Sequence, residues 1–494
     1  MRLLLKYNIM KMLNLMKQMQ KNVLRQLKNG NREQIFEWLT QLQESAMEIG
    51  EAVEALGNPD KALISCLEEY CELLYGLSQA VEDQGKGISQ ADVCDRKLAD
   101  IYRRIKQIPM EIKIAFFPYK YSMWDSLESI WKAASKDKRC ECQIIPVPYY
   151  DKGEDGKLEE FHYEGENFPE DIPILDYRNY SIESENPDIV YIHNPYDEYN
   201  KITCIHPVFF MENLKKQGAV MVYVPYYMAG ICSNFEKIGT GYKTKGTVYS
   251  DYIILQSDKL KAAYEYSGIE GEKLLVIGSP KIDKIYEIMA RDGRKKKEWQ
   301  PVLKDRKVLI FCSSVNDLLG YDDWLCSTNA VIDSVLADKS LALIWRPHPL
   351  LFQTLQILKK DYVKEYQRIY EKVREAENGV IDENGDFGDA LTASDGMISD
   401  FSSLVLQYTF SGKPVLLLRG NSEGRKMEVF CDYFSNYFLS EGTTIKDFIE
   451  MIKEGRDERK EERMRMAKAS VANADGTCGE KTHEAVIQKI CFWE

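Results

Sequence analysis

The sequence predicts an α/β protein built from two doubly wound Rossmann-like lobes behind an α-helical N-terminal unit. Three observations carry that expectation. Helical apolar spacing runs to about residue 108, short apolar runs alternating with helical stretches begin at Ile112, and the alternation restarts at Lys307 after a polar break. Strands separated by helical crossovers are the pattern of parallel sheets.

The bulk properties bound the answer. A chain of 494 residues has room for two to four domains, and its 44% hydrophobic and 29% charged composition is that of a folded globular protein. A formal net charge of −13 argues against nucleic acid as a partner. The 12 cysteines are scattered, and Cys140 and Cys142 lack the spacing of a zinc knuckle or redox motif, so reduced thiols in a cytoplasmic setting are expected. No run of about 18 apolar residues is present to span a bilayer. Lys6 and Lys11 interrupt what would be the apolar core of a signal peptide.

Residues 1–28 hold seven Lys or Arg and no acid, with Leu5, Ile9, Met12, Met16, Met19, Val23 and Leu27 on the opposite helical face. Such a helix fits either an anionic membrane surface, which would make the protein peripheral at the inner face of the membrane, or a neighbouring helix that receives the apolar stripe. The run Ile35, Trp38, Leu39, Leu42, Ala46, Ile49 and Val53 is a candidate neighbour. Asn58-Pro59-Asp60 breaks the helix, another runs through Leu63 to Leu77, and Gly85, Gly87 and Ser89 read as a flexible turn before a last helix ending near Ile108.

First-lobe strands are expected at residues 112–117, 143–148, 188–192, 219–224, 252–255 and 274–277, and second-lobe strands at 307–312, 341–345, 379–381, 396–399 and 414–418. The stretch 291–307 reads as a solvated helix end and connection, and 447–466 as a solvent-exposed helix. The implied units are 1–108, 109–298, 299–475, and a closing helix within 476–494 that packs back toward the first lobe.

Open α/β sheets bind ligands beyond the carboxyl ends of their strands. Three such places in the second lobe are polar. Arg346-Pro347-His348-Pro349 offers a guanidinium fork and an imidazole on a loop stiffened by two prolines, or else a turn bonded to local carbonyls. Ser399-Asp400-Phe401-Ser402-Ser403 precedes a helical run, so its hydroxyls and backbone N–H groups suit a pyrophosphate, or simply cap the helix. Ser313-Ser314 follows a strand in the same way, with phosphate contact and capping equally open.

With Ile277-Gly278-Ser279-Pro280-Lys281-Ile282-Asp283 upstream and Gly412-Lys413-Pro414 downstream, this ordered set resembles the CDP-glycerol glycerophosphotransferase family over roughly residues 112–440. The resemblance implies a GT-B fold, a CDP-glycerol or similar donor in the interlobe cleft, and no metal or other cofactor. It also implies transfer of glycerol phosphate to a polyol-phosphate or glycan acceptor in teichoic acid or capsule synthesis. Carried over by position, His348 stabilises the leaving phosphate, with Arg346, Asp400, Ser402 and Ser403 as donor contacts. Two departures stand out: the Trp-His-Gly-Thr-Pro string of the teichoic acid branch, whose His is the proposed base, is replaced by Val222-Tyr223-Val224-Pro225-Tyr226-Tyr227, and the acid expected seven residues after Asp400 is Gln407. Gln407 would then meet the ribose or acceptor differently.

A substitute base is His193, directly after a strand, with Asp197 or Asp125 to orient it or the acceptor; the alternative is a loop His bonded to nearby backbone. Two other functions stay open: a GT-B glycosyltransferase or epimerase using a nucleotide sugar, and a degenerate nucleotide-binding scaffold.

Overall fold

The computed structural model describes the chain except residues 30–31, 33, 57–58, 154, 201, 230–240, 291–295, 401, 419–435, 440–441 and 492–494. Asn58, residues 291–295 and Phe401, which figure in the expectations above, lie outside the described residues.

Four helices, α1 (Leu3–Asn29), α2 (Ile35–Glu54), α3 (Lys61–Ala80) and α4 (Gln84–Gln107), form a bundle in which neighbours in sequence pack together and α1 closes on α4. The stripe Ile9, Leu13, Met16, Val23 and Leu27 of α1 is buried in the common core with Leu42, Ile49, Tyr70 and Leu98. The neighbouring helices therefore take the apolar face that a membrane would otherwise have received. Two of the basic residues are also spent on structure. Arg2 pairs with Asp188 of the first lobe at 3.3 Å, and buried Lys6 donates to the Lys106 and Ile108 carbonyls that end α4.

Gly85, Gly87 and Ser89 do not form a turn: Asp83 caps α4 through the Lys86 N–H, and all three lie inside the helix. A Cβ at Gly87 would sit 3.2 Å from the Ala80 carbonyl and from Leu27, so the glycine permits close helix crossing.

The first lobe contains β1 (Ile112–Phe117), α5 (Glu128–Ala134), β2 (Cys140–Ile144), β3 (Tyr149–Lys152), β4 (Leu158–His162), β5 (Ile189–Ile192), β6 (Thr203–Ile205), β7 (Val220–Tyr223), β8 (Tyr252–Leu255) and β9 (Leu274–Val276). Six of these strands make a parallel sheet in the order β2-β1-β5-β7-β8-β9, and β4-β3-β6 make a small antiparallel sheet that local patterning did not foreshadow. The expected strand 143–148 is shifted to Cys140–Ile144, since Pro146 and Pro148 lack the N–H groups a ladder needs.

The second lobe is a parallel sheet of β10 (Lys307–Ser313), β11 (Leu341–Pro347), β12 (Gly379–Ile381), β13 (Gly396–Ser399), β14 (Val415–Leu417) and β15 (Tyr437–Phe438), ordered β12-β11-β10-β13-β14-β15. The strand order reverses between β10 and β13 here and between β1 and β5 in the first lobe. Each reversal opens a crevice at the strand ends.

The stretch 447–466 is not one solvated helix. Ile445–Glu454 buries Phe448, Ile449 and Ile452 against the second sheet, Gly455 ends it in the left-handed conformation (φ 66), and Lys460–Ser470 sequesters Arg463 against Asp457 and the Gly412 carbonyl. The last helix, Cys478–Ile490, lies on α5. Asp283 receives its first N–H groups, Cys478 N at 3.1 Å and Gly479 N at 2.7 Å. That bond accounts for one residue of the Gly-Ser-Pro-Lys-Ile-Asp string, and the close approach of the Ala472 carbonyl to Gly278 (φ 123) accounts for another.

Candidate functional site

A cavity of about 280 Å³ opens where the second sheet reverses, lined by Ser313 and Ser314 after β10, Arg346 to Pro349 after β11, Asp382 to Asn384 after β12, and Ser402 after β13, with Phe352 and Tyr366 as aromatic walls. Four separate strand ends therefore converge, as the parallel register dictates: Cys312 lies beside Arg346 on one side and beside Ser399 on the other.

Arg346 reaches this cavity already engaged. Its guanidinium pairs with Asp382 and donates to the carbonyls of Asn384 at 2.8 Å and Asp386 at 3.2 Å, over the ring of Phe387. The terminal nitrogens of the fork thus hold the 382–386 loop while Arg346 lines the cavity. That acidic loop is a part of the site that sequence reasoning missed, although the run Asp382-Glu383-Asn384-Gly385-Asp386 at a strand end was a usable signal.

His348 stands at the cavity wall. Its Nδ1 accepts from the Leu350 N–H at 3.2 Å, which leaves Nε2 as the protonated, donating nitrogen of the neutral ring. Partial desolvation lowers its pKa from the ordinary value, which keeps it neutral near pH 7.

The serines differ among themselves. Ser313 Oγ accepts from Trp345 Nε1 at 3.2 Å, and Ser314 Oγ caps the helix Val315–Gly320 through Asp317 N. Ser402 holds the cap position of the helix Ser403–Thr409 with extended backbone but makes no side-chain capping bond, whereas Ser403 is exposed on that helix and is absent from the cavity lining. Gln407, one turn on, is buried and also outside the lining. Asp400 lies beneath, 3% exposed, with one oxygen receiving the Ser314 N–H at 2.7 Å. Burial, with Asp317 beside it, holds its carboxyl protonated well above the usual carboxylate range.

The first-lobe residues fare differently. His193 follows β5 at that sheet's reversal, yet its ring is 0% exposed. Nε2 accepts from Tyr119 N at 2.6 Å, and Nδ1 faces Ser126 Oγ at 2.9 Å and the Met123 carbonyl at 3.2 Å. Burial, joined by the charge of Lys281, pushes its pKa down to about 3. The expectation of a catalytic base here is corrected, because a base needs an accessible lone pair and this one is spent on backbone. Asp197 is also buried. It adopts φ 47, accepts from Met211 N at 3.0 Å, and is pushed up to about 7 by burial, so it neither orients His193 nor faces an acceptor. Asp125 is instead paired with Lys281 at 2.5 and 2.6 Å. The two lobes meet nearby, where Ser122 packs on Gly385 of the loop that Arg346 holds.

The family model described as CDP-Glycerol:Poly(glycerophosphate) glycerophosphotransferase matches residues 242–488, half of the chain, and takes in the Arg346, His348 and Asp400 loops. The chain belongs to this family. A teichoic acid glycerol-phosphate primase of Bacillus subtilis (strain 168) is 24% identical over 188 residues, covering 37% of this chain and 44% of the relative, so the match spans less than half the length of that curated protein. Among solved structures, an S. aureus MnaA–UDP complex aligns at 16% identity with a TM-score of 0.50, covering 77% of this chain and 97% of that one. A putative UDP-N-acetylglucosamine 2-epimerase from Listeria monocytogenes aligns at 15% identity with a TM-score of 0.51, covering 77% and 96%. These neighbours share the two-lobed GT-B fold.

Proposed function

We propose that this glycerophosphotransferase-family chain transfers glycerol phosphate, or a related alditol phosphate, from a CDP-linked donor to a hydroxyl of a polyol-phosphate or glycan acceptor in cell-wall polymer synthesis. The supporting observation is the cavity at the second-lobe reversal, with His348 Nε2–H, the serine hydroxyls and the Arg346-held loop around it.

The acceptor hydroxyl attacks the donor's β-phosphorus and loses its proton to solvent, a P–O bond forms, the bond from the β-phosphorus to the bridging oxygen breaks and CMP leaves with that oxygen. His348 donates a hydrogen bond to the leaving phosphate from the neutral ring. Arg346 keeps the 382–386 loop in place as the cavity wall. Ser313, Ser314 and Ser402 supply polar contacts, and Asp400, protonated, adds no charge against an anionic donor. Catalysis then rests on positioning and on stabilising developing charge. A second reading, donor binding without turnover, draws on the sealed His193. In the described residues no helix is long and apolar enough to cross a membrane, and a peripheral position at an anionic bilayer rests on the remaining basic residues of α1.

Thermal melts with CDP-glycerol, CDP-ribitol and UDP-sugars test the donor: a ligand at 100 times its Kd stabilises by about 2.7 kcal/mol. Stabilisation by the CDP donors, with CMP release on adding a glycerol-phosphate primer, supports transfer. Stabilisation without CMP release selects the second reading, and a response to UDP-sugars alone overturns both.

A further inference from the structure

The cavity at the second-lobe reversal changes character along its length. The sheet order β12-β11-β10-β13 puts three strand spacings between the loop after β12 and the loop after β13, or about 14 Å. Hydrogen-bonding groups crowd the middle and the β13 end, where His348 Nε2–H stands with the hydroxyls of Ser313, Ser314 and Ser402. The β12 end differs. Glu383 and Asn384 line it beside the rings of Phe352 and Tyr366, which stack with centroids 5.8 Å apart. Arg346 is matched there by Asp382, so Glu383 leaves this end negative.

Resting on the reading that this cavity takes a CDP-linked donor, we infer that its β12 end holds the pyrimidine base and that Glu383 selects cytosine over uracil by accepting a hydrogen bond from the 4-amino group. Charge sets the orientation of the nucleotide. The anionic diphosphate is repelled by Glu383 and drawn to the hydroxyls and the imidazole N–H, whereas the neutral base stacks on aromatic rings. The edge of the base then sets the choice. Cytosine presents at position 4 a donor that a carboxylate accepts, and uracil presents there an oxygen that a carboxylate repels.

Glu383 is held from both sides. Asp382 N donates to the Trp345 carbonyl at 2.8 Å, and Asp382 Oδ1 accepts from Asn384 N at 3.2 Å and Asn384 Nδ2 at 2.6 Å. Arg346 donates to the Asn384 carbonyl at 2.8 Å. The backbone flanking Glu383 is therefore fixed. Tyr370, on the helix Val363–Glu375, donates its hydroxyl to the Glu383 side chain, and one such bond leaves the carboxylate further lone pairs for a base. Tyr366 on the same helix supplies the ring, so a single helix aligns the stacking surface with the acceptor. Asp382 cannot take this role, being 1% exposed and engaged by Arg346 and Asn384.

Calorimetric titration of the full chain with CDP and with UDP tests this. The wild type is expected to bind CDP at least about tenfold more tightly than UDP, the size of one hydrogen bond to a charged group. Glu383→Gln, whose amide serves either base, should erase that preference, chiefly by weakening CDP, and should melt like the wild type because the side chain is exposed. Tyr370→Phe, which frees the carboxylate, should shrink the preference in the same direction. Phe352→Ala should weaken both nucleotides alike, by about tenfold, through loss of a stacking face. Glu371→Gln removes a nearby charge outside the cavity lining and should leave the preference as it was. Equal affinity of the wild type for both nucleotides overturns the inference, as does a preference that survives Glu383→Gln or that Glu371→Gln erases equally; in each case the CDP-donor reading still stands. A preference for UDP, or no binding of either nucleotide, overturns that reading and the inference with it.

Discussion

The two sheets reverse their strand order in the same manner, yet the crevices they open have been put to opposite uses. At the second-lobe reversal the strand ends carry serines, an arginine and a histidine around an open cavity. At the first-lobe reversal the loop after β1 folds over the end of β5, and the backbone of Tyr119 and the hydroxyl of Ser126 occupy both nitrogens of His193. A strand-end histidine thus lines an open cavity in one lobe and is a core fastener in the other. What separates them is whether a neighbouring loop reaches the imidazole before a ligand does.

The sharpest way to break this contrast is to exchange the consequences of losing each histidine. His348→Ala is expected to lower kcat by about 10²- to 10³-fold, the size seen when a donor to developing charge is lost, with CDP affinity and melting temperature nearly unchanged. Steady-state kinetics beside a CDP titration decides it, and an equal loss in binding would move His348 from chemistry to affinity. Because its neutral form is the donor and its pKa is lowered, the wild-type rate should hold level as pH drops to 6.5 and decline only below that.

His193→Gln should do the reverse, costing about 2 to 3 kcal/mol of stability through broken buried hydrogen bonds. The sign with pH follows from its depressed pKa. The folded ring stays neutral to about pH 3 while the unfolded one takes up a proton near 6.5, so wild-type stability is full above 6.5 and falls as pH drops toward 3. The variant should lack that acid limb in urea melts at pH 4 and 7; a parallel loss in both proteins would show that other groups cause it.

Asp382→Asn tests the loop held by Arg346. Releasing it is expected to raise the donor KM about tenfold, or roughly 1.4 kcal/mol, with kcat little altered. Smallest is Asp283→Ala, which uncaps the last helix at a cost of about 1 kcal/mol and leaves donor binding intact, read by thermal melts.

Much of this was legible in the chain. The change at Ile112 from helical to strand spacing marks the end of the bundle, and the polar residues following the apolar runs at 307–312, 341–345 and 396–399 do surround one cavity. Less legible were features set by distant partners. Gly87 looked like a turn because glycine usually breaks helices, but here a helix crossing needed its missing side chain. The stretch 447–466 read as solvated because its charges dominate its composition, although Phe448 and Ile452 are core residues and Arg463 is internally paired.

Sequence by itself determined the alternation of strands and helices, and with it the parallel sheets and the strand ends where a ligand could sit. Those are consequences of local periodicity and of crossover connections, which neighbouring residues encode. Only the tertiary structure decided which polar groups remained available. His193 is silenced by a backbone N–H 74 residues away, and Arg346 is bound by a carboxylate 36 residues away. Hydrogen bonds of that range are set by how loops pack over sheet ends, and no local pattern records them.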